Sequence, residues 1–303
     1  MHVSKKLSAI YRELFQAYLC EEDKSKLKIL FQKYKELFLE NRYSTGLGLS
    51  LKLLEKLFGS MGKNQIKILD HGCGGGRDII ELTILGYTKA YGVDLPAKEK
   101  RMKGFANYLL NNMLSINEAR VQTYDGNILP YESESFDFAF SQGVLEHVKD
   151  DCIDCFYQES ARVLKPTGIR WDSFPHIGKP YDSHSGLWFV HYLPKILRKK
   201  VYGLYNKESL VDWVHLRTAK YHKKKLKKYF GFYKDISQEV IGSFHDEQRY
   251  DGELRNLRSV ISSMMRRSVA ARTIFYPAVK ICGSVNTLAA KSSHIIPDRL
   301  VID

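Results

Sequence analysis

The sequence predicts an α/β protein with a doubly wound, mostly parallel sheet of seven strands, preceded by helices and followed by an inserted helical and loop region for substrate. Three observations predict this class. Short apolar strands alternate with helical stretches over residues 66–174, a glycine cluster follows the first strand, and an acidic residue stands at or just after the end of the first three strands. Strands that alternate with helices are typical of parallel sheets, because each parallel connection needs a crossover.

The first half of the chain supplies most of these elements. Apolar residues recur at helical spacing through residues 1–60, as at Ile10, Leu14, Leu27 and Phe31, which predicts helices ahead of the first strand. Five strands are then expected, at residues 66–69, 91–93, 119–123, 136–140 and 168–174.

The pattern changes after Pro175, where proline, glycine, histidine and aromatic residues crowd positions 175–194. We expect substrate specificity to be built there. A helix is predicted over 219–229, a strand over 233–241, one or two helices over 253–290 and a last strand over 295–302. Within that stretch, the apolar residues 269–288 suit a packed helix first and an interfacial membrane helix second. The predicted domains are an N-terminal helical cap (1–60), a ligand-binding core (61–175) and a C-terminal region that completes the fold (176–303).

Composition narrows the class of protein further. The chain has 303 residues, 44% of them hydrophobic, so it can bury a large core. Neither a secretory signal nor a long apolar stretch is visible, which predicts a cytoplasmic protein, with peripheral contact at the inner membrane surface left open. Five scattered cysteines are expected to be reduced thiols, and Cys152 and Cys155 to lie on a helix face.

Positive charge is concentrated in one segment. The formal net charge is +13, and residues 195–228 contain twelve Lys or Arg residues against two acids, Glu208 and Asp212. Such a segment attracts an anionic partner, whether a phosphate backbone, a lipid headgroup or a phosphorylated metabolite, and a solvated helix face is the other interpretation.

The glycine cluster is Asp70-His71-Gly72-Cys73-Gly74-Gly75-Gly76, between a strand and a helix. Glycines let the backbone turn sharply and approach a ligand, and the helix start offers unpaired N–H donors. A dinucleotide fingerprint that starts at Gly72 and Gly74 would need glycine where Arg77 stands, which disfavours NAD.

Two further acids follow the next two strands. Asp94 could accept both hydroxyls of a ribose, and Asp125 could accept a hydrogen bond from an adenine amino group. An acid at a strand end is often only a turn or cap residue, but three on successive strand ends indicate one site.

These segments resemble class I S-adenosylmethionine-dependent methyltransferases of the type 11 group, which includes the ubiquinone-biosynthesis enzymes. The matching motifs include Gly92-Val93-Asp94, Asp125-Gly126-Asn127 and Val144-Leu145-Glu146-His147-Val148. A looser similarity, through residues 174–194, links the chain to methyltransferases that tailor bacterial glycans and lipids.

The resemblance implies a Rossmann-like fold, S-adenosylmethionine as methyl donor and S-adenosylhomocysteine as product. It places Asp70, Gly72, Cys73, Gly74 and Gly76 around the methionine part of the donor. It further implies that the ribose, the adenine and the methionine end of the donor are held by Asp94, Leu95, Asp125, Gly126, Asn127, Ser141 and Gln142.

Methyl transfer is a direct displacement, so the enzyme mainly aligns the nucleophile, and a hydroxyl acceptor benefits from a base. His147, beside Glu146, and His184 are the candidate catalytic residues. Related O-methyltransferases and small-RNA 3′-terminal methyltransferases hold a metal with Glu-x-x-Glu-His. Gly143 occupies the first of those positions here, so we expect no metal.

Three functions stay open. The first is O-methylation of a sugar, a lipid-linked glycan or a related small molecule. The second is methylation of RNA or a nucleotide, favoured by the basic segment. The third is a non-catalytic donor-binding partner subunit, which an intact donor site cannot exclude.

Overall fold

The computed structural model describes residues 3–21, 23–96, 100–243 and 284–298, together with Leu300 and Ile302. Three helices come first, as predicted: α1 (Val3–Leu19), α2 (Lys24–Asn41) and α3 (Gly48–Phe58). Helix α2 begins where the Asp23 carboxylate accepts a hydrogen bond from the Ser25 amide at 3.2 Å, which satisfies one of the free N–H groups of the first turn.

Five parallel strands follow in alternation with helices. The elements are β1 (Ile68–His71), α4 (Arg77–Ile84), β2 (Ala90–Asp94), α5 (Lys100–Leu114), β3 (Val121–Thr123), β4 (Phe136–Gln142), α6 (Ile153–Val163) and β5 (Leu164–Phe174). The predicted β1 is displaced by two residues, so that Asp70 lies inside the strand, and β4 extends through Ser141 and Gln142.

The inserted region begins after β5. It contains a small hairpin of β6 (Tyr181–Asp182) and β7 (Leu187–Trp188), then α7 (Lys195–Gly203), α8 (Leu210–Trp213) and α9 (Ala219–Phe230). The predicted helix over 219–229 is confirmed within one residue. Thr218 begins it, accepting a hydrogen bond from the Tyr221 amide at 3.1 Å.

The last elements differ from the sequence prediction. The strand expected over 233–241 is divided into β8 (Phe232–Asp235) and helix α10 (Ser237–Ser243). Residues 285–290 were expected to be helical but form β9 (Val285–Ala290). A 3₁₀ turn, Ser293–Ile295, ends where the final strand over 295–302 was predicted to begin, and the described residues after it form no strand. Residues 253–283 of the predicted helices, and most of 269–288, lie outside the described residues.

The sheet confirms the predicted fold. Its seven strands run in the order β3-β2-β1-β4-β5-β9-β8 within the described chain. Strands β1 to β5 are parallel, and β9 is antiparallel to both β5 and β8. The order reverses beside β1, so the ends of β1 and β4 form the crevice where open α/β sheets bind ligands.

Both faces of the sheet are buried, as a doubly wound sheet requires. Ile68, Phe138 and Phe140 pack into a cluster with the side chains of α1 to α5. Their neighbours Leu69 and Ala139 point the other way, into a second cluster with α6 and α9. Helices α1 to α3 thus share one core with the sheet.

Candidate functional site

A cavity of about 440 Å³ opens at the carboxyl ends of β1 and β4. Its floor is the glycine loop, with Asp70, Gly72, Cys73, Gly74 and Gly75, and Gln142 of β4 contributes from the next strand. Helix α1 covers it through Ser8, Tyr11 and Arg12. The N-terminal helices therefore form part of the site as well as part of the core.

The loop conformation depends on its glycines. Gly72, Gly74 and Gly76 have φ angles of 103°, 54° and 80°, a region that side chains rarely adopt. At Gly76, which precedes α4, a Cβ atom would also lie 2.6 Å from Cγ2 of Val121. A Cβ atom on Gly74 would meet nothing within 4 Å, and Gly74 lines the cavity.

Asp94, at the end of β2, is tied to this loop. Its Oδ2 accepts a hydrogen bond from the Gly74 amide at 2.6 Å, and its Oδ1 accepts one from the Leu95 amide at 2.7 Å. Each carboxylate oxygen has a second lone pair. Asp94 can therefore hold the loop and still accept a hydroxyl from a ligand.

Asp70 is buried beneath the loop, with 4% of its surface exposed. Burial raises the pKa of its carboxyl well above the usual value, and the neighbouring Asp78 and Asp94 raise it further. A cation placed in the cavity would relieve both the burial and the repulsion. The floor of the cavity thus favours a positively charged ligand.

The loop after β3 has a different geometry. Asp125 is exposed, and its Oδ1 accepts hydrogen bonds from the amides of Asn127 at 2.9 Å and Ile128 at 3.2 Å. These contacts, that of Asn127 first, lower the pKa of Asp125. A Cβ atom on Gly126 would lie 3.1 Å from Cδ2 of Leu95, so Gly126 lies close against the Leu95 side chain.

A second set of polar residues follows β4. Glu146, His147 and His184 each present a potential ligand atom within 4.8 Å of the others. The two imidazole rings meet edge to face, with centroids 5.1 Å apart. Glu146 is 5% exposed, and its Oε2 has no hydrogen-bond partner in the described residues; burial raises its pKa.

Both imidazoles are held through Nδ1. That of His147 lies 3.1 Å from the Trp213 carbonyl oxygen, and that of His184 lies 3.2 Å from Oδ1 of Asp182. A carbonyl and an ionised carboxylate only accept, so in both rings Nδ1 donates and Nε2 is left to accept a proton. The Asp182 carboxylate, through its hydrogen bond, raises the pKa of His184.

Asp182 is itself a buried centre of hydrogen bonds. It accepts from the Ser185 hydroxyl at 2.5 Å and from the Tyr202 hydroxyl at 2.9 Å, and His191 Nε2 lies 3.5 Å away. Burial opposes ionisation, but the hydrogen bonds from His184, His191 and Ser185 outweigh it and hold the pKa of Asp182 well below its usual value.

A sequence family described as the methyltransferase domain matches residues 69–171, a range that includes the glycine loop, Asp94 and the segment after β4. Residues 69–171 belong to the class I S-adenosylmethionine-dependent methyltransferases. This match confirms the methyltransferase family that the sequence predicts for this part of the chain.

Known proteins similar to the chain agree with this family. The ubiquinone biosynthesis O-methyltransferase of Bartonella tribocorum is 35% identical over 106 residues, which are 35% of this chain and 40% of that protein. The protein of the same name from Pelagibacter ubique is 27% identical over 158 residues, 52% of this chain and 55% of that one. The chain thus spans about half the length of these relatives.

Among solved structures, the chain is similar to phosphoethanolamine N-methyltransferase 2 of Haemonchus contortus in complex with phosphomonomethylethanolamine and S-adenosylhomocysteine. The two are 17% identical, with a TM-score of 0.47, over 82% of this chain and 54% of the other.

The predicted donor residues of this methyltransferase domain fall into four groups. Asp70, Gly72, Cys73, Gly74 and Gln142 line the cavity. Asp94, Leu95 and Gly76 adjoin it through the loop contacts above, whereas Asp125, Gly126 and Asn127 lie on the neighbouring exposed loop. Ser141 is buried and its hydroxyl donates to Oδ1 of Asp172 at 2.9 Å, so it is bound within the sheet.

Four residues were not predicted from the sequence as part of the methyltransferase site: Ser8, Tyr11, Arg12 and Asp182. Nothing local marks the first three, since α1 reads as an ordinary amphipathic helix. Asp182 could have been noticed, because Asp182-Ser183-His184 places a carboxylate two residues before a candidate base.

The residues Glu146, His147 and His184 could also hold a metal ion. The expectation of none rests on Gly143, which removes one ligand of the related motif. The structure brings His184 to Glu146 and His147 from another part of the chain, so three ligands of suitable type are present. The same residues are equally suited to proton transfer.

Proposed function

We propose that this chain transfers a methyl group from S-adenosylmethionine to a hydroxyl group of a sugar, a lipid-linked glycan or a related acceptor. The observation that carries the proposal is the pair Asp182 and His184, joined at 3.2 Å, beside Glu146 and His147, which follow β4, the strand whose Gln142 lines the donor cavity. The names of the two curated relatives, both O-methyltransferases, support a hydroxyl acceptor.

In this mechanism the donor's methyl group is attacked directly by the acceptor oxygen. The new O–CH₃ bond forms as the S–CH₃ bond breaks, and S-adenosylhomocysteine leaves. The hydroxyl proton passes to Nε2 of His184, because Nδ1 already donates to Asp182. The Asp182 carboxylate stabilises the resulting imidazolium, and Glu146 provides a second negative charge beside it.

In the same mechanism, the donor is held in the cavity formed by the glycine loop. Its positively charged sulfonium and ammonium groups would stabilise the ionised carboxylate of Asp70, because a nearby cation offsets the cost of burying that charge. Asp94 accepts ribose hydroxyls, and the half-exposed side chain of Leu95 offers an apolar surface to the adenine ring. Helix α1, through Tyr11 and Arg12, limits the access of water to the reacting atoms.

The alternative acceptor, RNA or a nucleotide, depends on the lysines of α9. Several of them are already paired within the protein: Lys223 with Asp235 at 2.5 Å, and Lys225 and Lys228 with Asp154 at 2.6 and 3.3 Å. Paired lysines contribute less to binding a phosphate backbone. The helix is therefore better explained by its packing, with His222 and Leu226 buried beneath it.

A screen with labelled methyl donor tests the proposal. The protein is incubated with glycan, lipid and RNA fractions, and the labelled product is identified. We expect label in a glycan or lipid fraction, as a methyl ether. Label confined to RNA would support the alternative acceptor, and donor binding without transfer to any fraction would support a non-catalytic partner subunit.

A further inference from the structure

An exposed apolar surface lies beside the acceptor side of the site. Among the described residues, nine of the fourteen exposed large hydrophobic side chains fall between positions 181 and 213. They are Tyr181, Trp188, Phe189, Tyr192, Ile196, Leu197, Leu204, Tyr205 and Trp213, which together we call the aromatic face. Contiguous exposed apolar patches on soluble domains mark interaction sites.

Four of these side chains form a continuous row. The ring centroids of Tyr181 and Trp188 lie 5.2 Å apart, those of Trp188 and Phe189 lie 6.0 Å apart, and those of Phe189 and Tyr192 lie 5.9 Å apart. The side chains of Trp188, Phe189 and Tyr192 remain at least half exposed. Their mutual contacts therefore do not remove them from solvent.

The backbone at the middle of this row is strained. Phe189 has a φ angle of 58°, a conformation that is uncommon for a bulky residue. Such strain persists only where the surrounding structure imposes it, and it concentrates at functional positions. Here it holds a 57% exposed phenyl ring outward, where a buried position would be expected.

Basic side chains accompany the aromatic face. Helix α7 contains Lys195, Arg198, Lys199 and Lys200 with no acidic residue. Lys195 lies 3.4 Å from Asp212, whereas Lys199 and Lys200 are exposed and form no ion pair with any residue that the structure describes. Their charge is available to an anionic partner.

We propose that the aromatic face binds an anionic lipid bilayer at its interface. Trp and Tyr, with an apolar body and a polar edge, are the residues enriched where membrane meets water, and lysines beside them are attracted to acidic headgroups. Lysine is depleted from protein interfaces, which favours lipid over a second copy of the chain. None of the described helices is long and apolar enough to cross a membrane.

This surface continues into the site. Trp213 supplies the carbonyl that accepts from His147, and the β6–β7 hairpin that bears Tyr181 and Trp188 also bears Asp182 and His184. A bilayer bound there lies next to the residues proposed to take the acceptor's proton. The acceptor is then a lipid-borne hydroxyl, a conclusion that rests on the proposed function, whereas membrane binding itself does not.

Intrinsic tryptophan fluorescence tests this proposal. The chain has three tryptophans, of which Trp171 is fully buried and Trp188 and Trp213 lie on the aromatic face. Emission is recorded with vesicles of phosphatidylcholine alone and of equimolar phosphatidylcholine and phosphatidylglycerol. We expect a blue shift with the acidic vesicles, and quenching by brominated acyl chains that is lost in the Trp188→Phe, Trp213→Phe double variant.

Vesicle sedimentation measures the charge and apolar contributions separately. Lys199→Gln and Lys200→Gln are each expected to weaken binding to acidic vesicles about fivefold, and Phe189→Ser about tenfold or more. Lys28→Gln and Ile29→Ser, exposed changes on α2, serve as matched controls and should leave binding unchanged. Donor affinity, measured by calorimetry, should be the same in all variants and shows that each is folded.

An unchanged tryptophan spectrum with both kinds of vesicle would overturn the proposal. So would a spectral shift that appears without lipid and grows with protein concentration, because it would assign the aromatic face to a second copy of the chain. Vesicle binding without methyl transfer to any lipid fraction would leave the surface established and reject the lipid-borne acceptor.

Discussion

The Asp182 carboxylate and the His184 imidazole form a hydrogen-bonded pair, 3.2 Å between Oδ1 and Nδ1, at the base of a two-stranded hairpin. Asp182 is 1% exposed and is held by several other donors, so it fixes the orientation of the ring. The pair brings an oriented base to residues that follow β4, far away in sequence.

Replacement of His184 tests the proposed base directly. His184→Gln should lower kcat about 10²- to 10⁴-fold, the usual contribution of general base catalysis, with little change in donor affinity. His147→Gln should have a smaller effect, because its Nδ1 is bound only to a backbone carbonyl. Rates are measured with labelled donor and the acceptor found in the screen.

Dialysis against a chelator provides the control for this experiment, since the same residues could ligate a metal. The base mechanism predicts full activity after chelation. Loss of activity on chelation, restored by added divalent metal, would assign Glu146, His147 and His184 to a metal ion.

The role of Asp182 is tested by the pH profile of its variant. Because the carboxylate raises the pKa of His184, the wild-type kcat/KM should fall on the acid side with an apparent pKa above 6.5. Asp182→Asn should move that limb to lower pH while reducing the maximal rate. A lower rate with an unmoved acid limb would indicate a purely structural role.

Donor binding should depend more on Asp94 than on Asp125. Asp94→Asn removes charged acceptor capacity beside the glycine loop and should weaken the binding of S-adenosylmethionine by about 1.5–3 kcal/mol. Asp125 is exposed and already accepts hydrogen bonds from amides of its own turn, so Asp125→Asn should reduce the free energy of donor binding by less. Calorimetric titration of both variants with S-adenosylmethionine measures the two losses of affinity. A larger loss in Asp125→Asn would show that the predicted adenine contact of Asp125 contributes more to donor binding than Asp94 does.

Asp70→Asn should stabilise the protein without ligand while weakening donor binding. The folded state raises the pKa of Asp70, so it binds more protons than the unfolded state, and the free energy of unfolding falls as pH rises from the unfolded value, about 4, through the raised pKa. In the variant, the free energy of unfolding should not show this decrease with pH. At pH values above the raised pKa, it should exceed that of the wild type by ~1–3 kcal/mol.

Asp137→Asn is the matched control, because Asp137 accepts hydrogen bonds from the Lys67 amide and from Lys165 Nζ. It should destabilise. Thermal and urea unfolding across pH measure both variants; a loss of stability in Asp70→Asn would refute the burial cost assigned to this carboxyl.

Gly76→Ala should destabilise the fold by ~2 kcal/mol or more, since it adds strain at a φ angle of 80° and a contact of 2.6 Å with Val121. Gly46→Ala is the control, because its Cβ would meet nothing within 4 Å. Urea unfolding compares them. Equal stability of the two variants would show that the loop rearranges freely.

The arrangement of the strand ends and the glycine loop was largely predictable because these residues lie at fixed positions in successive strand and turn units. Asp70, the glycine loop and Asp94 each belong to a strand that leads into a turn, and parallel pairing brings strand ends to one edge. Local sequence therefore fixes both where each residue stands and which residues it meets.

The C-terminal strand was not predictable for a related reason. Residues 285–290 are all buried but include the polar Asn286 and Thr287, and so short a segment reads equally as a buried helix segment or a strand. Only its place between β5 and β8, with hydrogen bonds on both sides, makes it extended.

The sequence by itself determined the fold class, the methyltransferase family of residues 69–171 and the acids and glycines at the strand ends, because these follow from periodicity and from motifs within a single element. The tertiary structure alone decided which residues of α1 line the cavity, that Asp182 orients His184 toward Glu146 and His147, and that the aromatic face adjoins them. These contacts join segments far apart in the chain, and their meeting depends on how whole elements pack, which no local pattern encodes.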